Sequence, residues 1–230
     1  MQFKPNFNLL KSWDEATDVI STDKPYCAVY KKNGKTLVYI AAHHFSDNTL
    51  NLINFCFGGA NISIPKPGVV VVEREAENPI KSTDKDEAVY LAKLAIKNGA
   101  DVVYADPPMA AMLYVLNNRN KTRNLTMDDL YKILHAKPAV NGNENERMGA
   151  ELNMFCRNRF HLLNIAAALN KYDVVFCAFG EGHFREQSLV LEDMMGKPEF
   201  IVDAPQVEIE NVSDIKEFER VKIVDTKEIM

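Results

Sequence analysis

Several residue types and runs that define particular protein classes are scarce in this sequence. Only 4 of its 230 residues are cysteine, and no two of them have the C-x-x-C spacing of redox and zinc motifs. Because Cys27, Cys56, Cys156 and Cys177 lie in apolar settings, we predict buried, reduced thiols and a cytoplasmic location. A disulfide scaffold is excluded by this composition.

Long apolar runs are also missing. No stretch approaches the roughly 20 apolar residues that cross a bilayer, so we expect no membrane span. Residues 1–6 contain no apolar core of the kind found in signal peptides. We therefore expect no secretory signal.

Positive charge is in short supply. The 27 Lys and Arg residues are outnumbered by 32 Asp and Glu residues, which gives a formal net charge of −5. Non-specific binding to nucleic acid needs a basic surface, so we expect no nucleic-acid partner. With 47% hydrophobic residues the chain can bury a core of its own. We predict a single α/β domain over residues 1–230.

Two common catalytic signatures do not occur. The sequence has neither G-x-G-x-x-G nor a complete P-loop, so no nucleotide cofactor is predicted. It also has no G-x-S-x-G, the motif that carries the nucleophilic serine of α/β-hydrolases. Any hydrolysis must therefore use other groups.

What the sequence does contain is a series of short, strongly apolar segments. Residues 25–42 predict a β-hairpin, because Asn33-Gly34 tolerates the positive φ angles of a tight turn. Val69–Val72 and the segments 101–105 and 173–179 lack polar alternation, which indicates strands covered on both faces. We predict a mixed, largely parallel central sheet flanked by helices, with a β-hairpin near the N-terminus.

Helical patterns lie between these strands, and short β-like runs follow them. We predict helices over 47–58, 84–98, 109–118, 127–136 and 147–169, and short strands at 200–202 and 221–224. The two helices within residues 107–150 form a helical excursion from the sheet. We predict that this excursion covers the strand ends as a lid.

Residues capable of chemistry follow four of the predicted strands. They are His43 and His44, Glu73, Asp106, and the run Gly180-Glu181-Gly182-His183. Ligands of open α/β sheets bind at the carboxyl ends of the strands. Each residue alone is compatible with a hydrogen-bonded strand end, but their coincidence favours a shared site.

For two of these positions the sequence predicts more specific roles. Glu73 leaves a dry strand, so it could orient an imidazole, act as a base or bind a metal; an ion pair with Arg74 or Arg157 is the plainer alternative. The run 180–183 predicts a tight turn whose amides could bind an anion. His135 and His161 are interpreted as a helix cap and a partnered helix residue.

The order of the motifs resembles a known superfamily. The segments Ala41-Ala42-His43-His44, Glu73, Cys156-Arg157-Asn158-Arg159 and Gly180-Glu181-Gly182-His183 follow the order G-x-x-H, Glu, Arg-Asn, G-x-x-H. That order is typical of the superfamily that joins TraB proteins, TIKI metalloproteases, erythromycin esterases and ChaN-like haem-binding proteins. The resemblance spans about residues 36–197. It departs at Ala41, where glycine is usual, and after Asp106, where arginine is expected.

The resemblance implies a shared site rather than a single chemistry, since its members include metal-dependent proteases, metal-independent esterases and haem binders. It implies that the catalytic residues are His44, Glu73, Arg157 and His183. We predict that His43, Asp106, Asn158, Gly180, Glu181 and Gly182 bind the ligand.

The residues leave several chemistries open. His44, Glu73 and His183 could hold a divalent transition metal with an open position for water. Without a metal, His44 would be the general base on water, Glu73 would orient it, and His183 with Arg157 would stabilise the oxyanion. The leading prediction is a hydrolase acting on an ester or amide bond of a small-molecule or peptide substrate.

Two alternatives remain beside the hydrolase. One is a non-enzymatic haem- or small-ligand-binding protein that uses the same histidines. The other is a scaffold whose site has decayed, for which Ala41 is the one indication.

Overall fold

The computed structural model describes residues 2–16, 23–58, 64–75, 86–120, 124–215, 224 and 227. Within them one sheet forms the centre of the fold. Its strands are β1 (Tyr26–Lys32), β2 (Lys35–Ala42), β3 (Val69–Glu75), β4 (Asp101–Asp106), β5 (Val174–Gly180) and β6 (Glu199–Ile201). Their spatial order is β4-β3-β5-β2-β1-β6. The four strands from β4 to β2 are parallel, while β1 runs antiparallel to both of its neighbours.

This arrangement confirms the predicted mixed, largely parallel sheet and its N-terminal hairpin. Asn33 and Gly34 turn the hairpin with φ angles of 53° and 75°, and Lys32 pairs with Lys35. Val69–Val72 of β3 are all fully buried between β4 and β5. Because successive side chains point to opposite faces, Val69 and Val71 enter one core and Val70 and Val72 the other.

Helices cover both faces of the sheet. They are α1 (Asp47–Gly58), α2 (Glu87–Lys97), α3 (Met109–Arg119), α4 (Met127–Leu134), α5 (Glu144–Leu152), α6 (Asn158–Lys171) and α7 (Glu181–Met195). Apolar residues of α1 and α2 pack on one face, and those of α6 and α7 pack on the other. No helix in the described part of the chain is long and apolar enough to cross a membrane.

The excursion between β4 and α6 has its own apolar cluster. Met112 and Leu116 of α3 pack with Leu130 and Ile133 of α4 and with Leu152 of α5. The first turn of α4 is closed by a capping box in which Thr126 and Asp129 bond each other's backbone amides. The excursion is therefore a packed helical unit beside the sheet.

The predicted helix 147–169 differs from the structure. The chain becomes helical at Glu144, because the Asn143 side chain caps α5. A π-helical turn, Asn153–Arg157, then separates α5 from α6, and the N–H of Asn158 donates to the carbonyl of Asn153. Such turns occur frequently at functional sites because they insert one extra residue and re-aim the side chains that follow.

The C-terminal third contains a helix that the sequence interpretation missed. The prediction of a tight turn at 180–183 is wrong, because residues 181–183 form the first turn of α7 and Gly180 is its N-cap. The buried residues Phe184, Leu191 and Met195 recur at helical spacing and were the available signal. Of the predicted tail strands, 200–202 corresponds to β6, and 221–223 lies outside the described residues.

All four cysteines are buried and free. The predicted buried, reduced thiols are therefore confirmed. Burial raises the pKa of the Cys156 thiol to about 12, because the thiolate form would lose its hydration. An inert, structural role follows for this cysteine.

Candidate active site

The carboxyl ends of β2, β5 and β3 meet at one cavity. The cavity has a volume of about 320 Å³. Its polar lining comprises His43, His44, Glu73, Asn153, Arg157, Glu181 and His183, with Gly180 and Gly182 beside them. Trp13 forms part of the wall, and the excursion contributes Ile133, Leu134, Ala136, Pro138, Gly149 and Leu152. Residues that follow three of the four predicted strands thus line one cavity.

Arg157 joins the two strand-end carboxylates. Its Nη2 donates to Glu73 Oε1 at 2.6 Å, while Nε and Nη2 donate to the two oxygens of Asp106 at 3.1 Å each. The three side chains are only 11–16% exposed. Burial raises the pKa of Asp106, but Arg157 and His161 outweigh it and hold that pKa at about 2. Asp106 lies beside Arg157 and is not part of the cavity lining.

Glu73 has both carboxylate oxygens engaged. Oε2 accepts the backbone N–H of Gly180 at 2.7 Å, and Oε1 accepts from Arg157 and lies 3.4 Å from His183 Nε2. Burial opposes ionisation of this carboxyl. The neighbouring His183 ring and the Arg157 guanidinium nevertheless hold the pKa of Glu73 well below its ordinary value. Glu73 is therefore a fixed negative charge rather than a proton acceptor near neutral pH.

His161 belongs to the same network, which the sequence did not indicate. Its Nε2 lies 2.8 Å from Asp106 Oδ1, and its ring stacks on Phe179 with centroids 4.4 Å apart. Desolvation lowers the pKa of this fully buried imidazole to about 4. The ring is therefore neutral, its Nε2–H donates to Asp106, and Nδ1 is left as an acceptor.

His183 is held by Asn158, the first residue of α6. The Nδ1 of His183 lies 2.7 Å from Asn158 Oδ1, which can only accept, so the neutral ring carries its proton on Nδ1. Nε2 is then an unprotonated nitrogen on the side of the cavity and Glu73. Both Asn158 and His183 are buried, at 0% and 6% exposure. Asn158 directly follows the π turn Asn153–Arg157.

His44 differs from His183 in both its partner and its exposure. Its Nδ1 lies 2.5 Å from Oε1 of Glu87, the first residue of α2, and its side chain is 52% exposed. The Glu87 hydrogen bond outweighs desolvation and raises the pKa of His44 to about 9. His44 is therefore an imidazolium at neutral pH. Its Nε2 passes so close to Gly180 that a Cβ there would lie 2.7 Å from it.

The remaining predicted residues have lesser contacts. His43 Nε2 lies 3.5 Å from Glu181 Oε2, which makes a loose pair at the cavity rim. Gly182 leaves room for the Trp13 ring, since a Cβ at 182 would lie 2.4 Å from it. Ala41, the residue that replaces the usual motif glycine, lies fully buried within β2 and pairs with Phe179. An alanine fits this strand position.

The metal-site expectation does not fit these contacts. No three or more His, Cys, Asp or Glu side chains among the described residues are grouped so that they could hold a metal ion. Both oxygens of Glu73 are already bonded, one to Arg157 and one to the Gly180 amide, so this carboxylate is not free to bind a metal.

Fold and site together define the chain as an α/β protein with a polar cavity at the carboxyl ends of parallel strands. Two histidines with contrasting partners face that cavity. Comparison of the chain with protein-family models, with curated proteins and with solved structures finds no match. The superfamily resemblance stays a prediction carried by the motif residues alone.

Proposed function

We propose that the protein is a hydrolase that cleaves an ester or amide bond of a small molecule, with one histidine as its base and a second, cationic histidine as its oxyanion donor. The observation that carries the proposal is the contrast between His183 and His44. Asn158 selects the neutral tautomer of His183 whose Nε2 is unprotonated, whereas Glu87 keeps His44 protonated. Titratable groups whose environments separate their protonation states in this way supply the base and the acid of a reaction.

In the proposed reaction His183 activates water. Its Nε2 takes a proton from a water molecule as the water oxygen bonds to the substrate carbonyl carbon. The nearby Glu73 carboxylate, 3.4 Å away, stabilises the imidazolium that forms. When the tetrahedral intermediate collapses, this proton passes to the leaving oxygen or nitrogen, and the bond from carbon to that atom breaks.

His44 is proposed to stabilise the oxyanion. An imidazolium can donate Nε2–H to the negative charge that develops on the carbonyl oxygen. The proposal reverses the roles predicted from the sequence, in which His44 is the base and His183 contacts the oxyanion. The reason is the hydrogen bond to Glu87, because a histidine with a pKa of about 9 is already protonated at neutral pH.

Arg157 is proposed to act through Glu73 rather than on the substrate. Its Nε and Nη2 are committed to Asp106 and Glu73. A guanidinium held in this way fixes the position and charge of the carboxylate that supports His183.

The test is hydrolysis of a panel of p-nitrophenyl esters and p-nitroanilides of short acids at pH 7. We expect turnover by the wild type and a loss of about 100-fold or more in kcat/KM for His183→Gln and for His44→Gln. His135→Gln is the matched control, because His135 is exposed and does not line the cavity. Thermal unfolding of each variant shows whether a loss of activity reflects a loss of fold.

The outcomes separate the alternatives. Equal activity of wild type and His183→Gln would contradict the proposed base. Wild-type binding of a panel compound without turnover would favour the ligand-binding alternative. Turnover that disappears on dialysis against a chelator and returns with a divalent metal would favour the metal-dependent alternative.

A further inference from the structure

We infer that Glu186 and Gln187, one helical turn after His183 on α7, are positioning residues that select the tautomer of His183 through Asn158. The inference rests on the proposed function only in making His183 the base. The hydrogen bonds that support it are independent of any reaction.

Asn158 is the point at which the tautomer is decided. A carboxamide can rotate by half a turn and exchange its oxygen and nitrogen. With Oδ1 toward His183, the ring must carry its proton on Nδ1 and leave Nε2 unprotonated at the cavity. With Nδ2 toward His183, the neutral ring would carry its proton on Nε2 and could not act as a base there.

Glu186 holds the Nδ2 end of the Asn158 carboxamide. Its Oε2 accepts a hydrogen bond from Asn158 Nδ2 at 2.6 Å, in a buried setting where Glu186 is 1% exposed. Burial raises the pKa of Glu186 to about 7, but either protonation state retains an oxygen that accepts from Nδ2. Asn158 Oδ1 is therefore directed toward His183.

Gln187 holds the Oδ1 end of the Asn158 carboxamide. Its Nε2 donates to Asn158 Oδ1 at 2.8 Å, and the same nitrogen lies 3.3 Å from His161 Nδ1. His161 accepts there because its Nε2–H is committed to Asp106. The Gln187 amide is thereby oriented with its nitrogen toward Asn158. A series of hydrogen bonds therefore runs from Asp106 through His161, Gln187 and Asn158 to Glu186. The carboxyl groups at its two ends accept hydrogen bonds and so determine which nitrogen atoms between them carry the protons.

Stability alone does not account for a glutamate at position 186. Its Oε1 is buried and has no hydrogen-bond partner within the described part of the chain. A buried polar atom left unpaired opposes folding. The contact of Oε2 with Asn158 gives this glutamate a role in the site.

The experiment measures the ¹⁵N chemical shifts of the His183 ring in the full chain, beside the kcat of ester hydrolysis. Wild type and Glu186→Gln are expected to show the Nδ1–H tautomer, because a glutamine oxygen can replace Oε2. Glu186→Met lacks an acceptor, so we expect the Nε2–H tautomer to appear and kcat to fall about 10-fold to 100-fold, with a smaller change in KM. Gln187→Met provides a second variant should Glu186→Met fail to fold.

Asn164→Leu is the matched control for loss of a buried amide. Asn164 is 1% exposed on α6 and donates to the Phe160 carbonyl, away from His183. We expect it to change stability and not the tautomer. A wild-type tautomer in both methionine variants, or the same tautomer change in Asn164→Leu, would overturn the inference. A tautomer change without esterase activity in the wild type would uphold the positioning and contradict the proposed function.

Discussion

At the scale of single residues, the site depends on how its buried charges are partnered. Arg157 lies between the carboxylates of Glu73 and Asp106, and His161 occupies a further lone pair of Asp106. Charges taken out of water are stable only when geometry and hydrogen bonds compensate for their lost hydration. Removing one member leaves the others unpaired, so this network should be sensitive to single substitutions.

Replacement of Asp106 tests that sensitivity. Asp106→Ala leaves the Nε of Arg157 and the Nε2–H of His161 without their acceptor. We expect the free energy of unfolding in urea to fall by about 3–5 kcal/mol. Asp173→Ala, which breaks an exposed pair with Lys35, should cost less than about 1 kcal/mol. Similar losses for the two variants would contradict the buried network.

The same carboxylates predict how stability depends on pH. Folding lowers the pKa of Asp106 to about 2 and that of Glu73 well below its ordinary value. Groups with a depressed pKa stabilise the folded state above their unfolded pKa, and this contribution is lost as pH falls through the folded pKa. We expect the free energy of unfolding to decrease from about pH 5 to pH 2, with a shallower decrease for Asp106→Asn.

Gly180→Ala tests the placement of His44. A Cβ at 180 would lie 2.7 Å from the end of the His44 ring, while the φ of −52° at Gly180 suits alanine. We expect His44 to be displaced and kcat/KM to fall, with stability within about 1 kcal/mol of wild type. Gly58→Ala is the control, because a Cβ at 58 meets no atom within 4 Å. Unchanged hydrolysis by Gly180→Ala would argue against a role for His44.

At the scale of elements, local signals predicted some segments and not others. The hairpin and β3 were predictable, since Asn33-Gly34 and the run Val69–Val72 each encode their conformation locally. The π turn at Asn153–Arg157 has no comparable local signal. It joins α5, which packs in the apolar cluster of the excursion, to α6, which packs on the sheet. Arg157 is the last residue of this turn, and Asn158 follows it.

The excursion gives a prediction at the same scale. Ile133 and Leu134 at the end of α4 line the cavity, and Thr126 caps the start of that helix. Thr126→Ala should destabilise α4 by about 1 kcal/mol. We expect faster amide hydrogen exchange within 127–134 and a higher KM for ester hydrolysis. The amides of α2 serve as an internal control. Unchanged protection of the α4 amides would show that the Thr126 cap does not stabilise the part of the cavity wall that α4 forms.

At the scale of the whole molecule, strand order determines the site. Parallel strands that are distant in sequence end at the same edge, so His44, Glu73 and His183 could be grouped from sequence alone. Their chemical roles could not be assigned in that way. The roles depend on Glu87 and Asn158, whose contacts with the two histidines form only in the folded chain.

If His44 is the cation and His183 the base, hydrolysis requires a protonated His44, and a pH–rate profile measures that requirement. For the best ester of the panel we predict that kcat/KM falls as pH rises through about 9, where His44 loses its proton. Glu87→Gln removes the main cause of that raised pKa, so its alkaline limb should move to lower pH. Glu151→Gln, at a surface pair with Arg119, should leave the limb in place. A kcat/KM that rises through pH 9, or an alkaline limb that Glu87→Gln does not shift, would contradict the roles proposed for the two histidines.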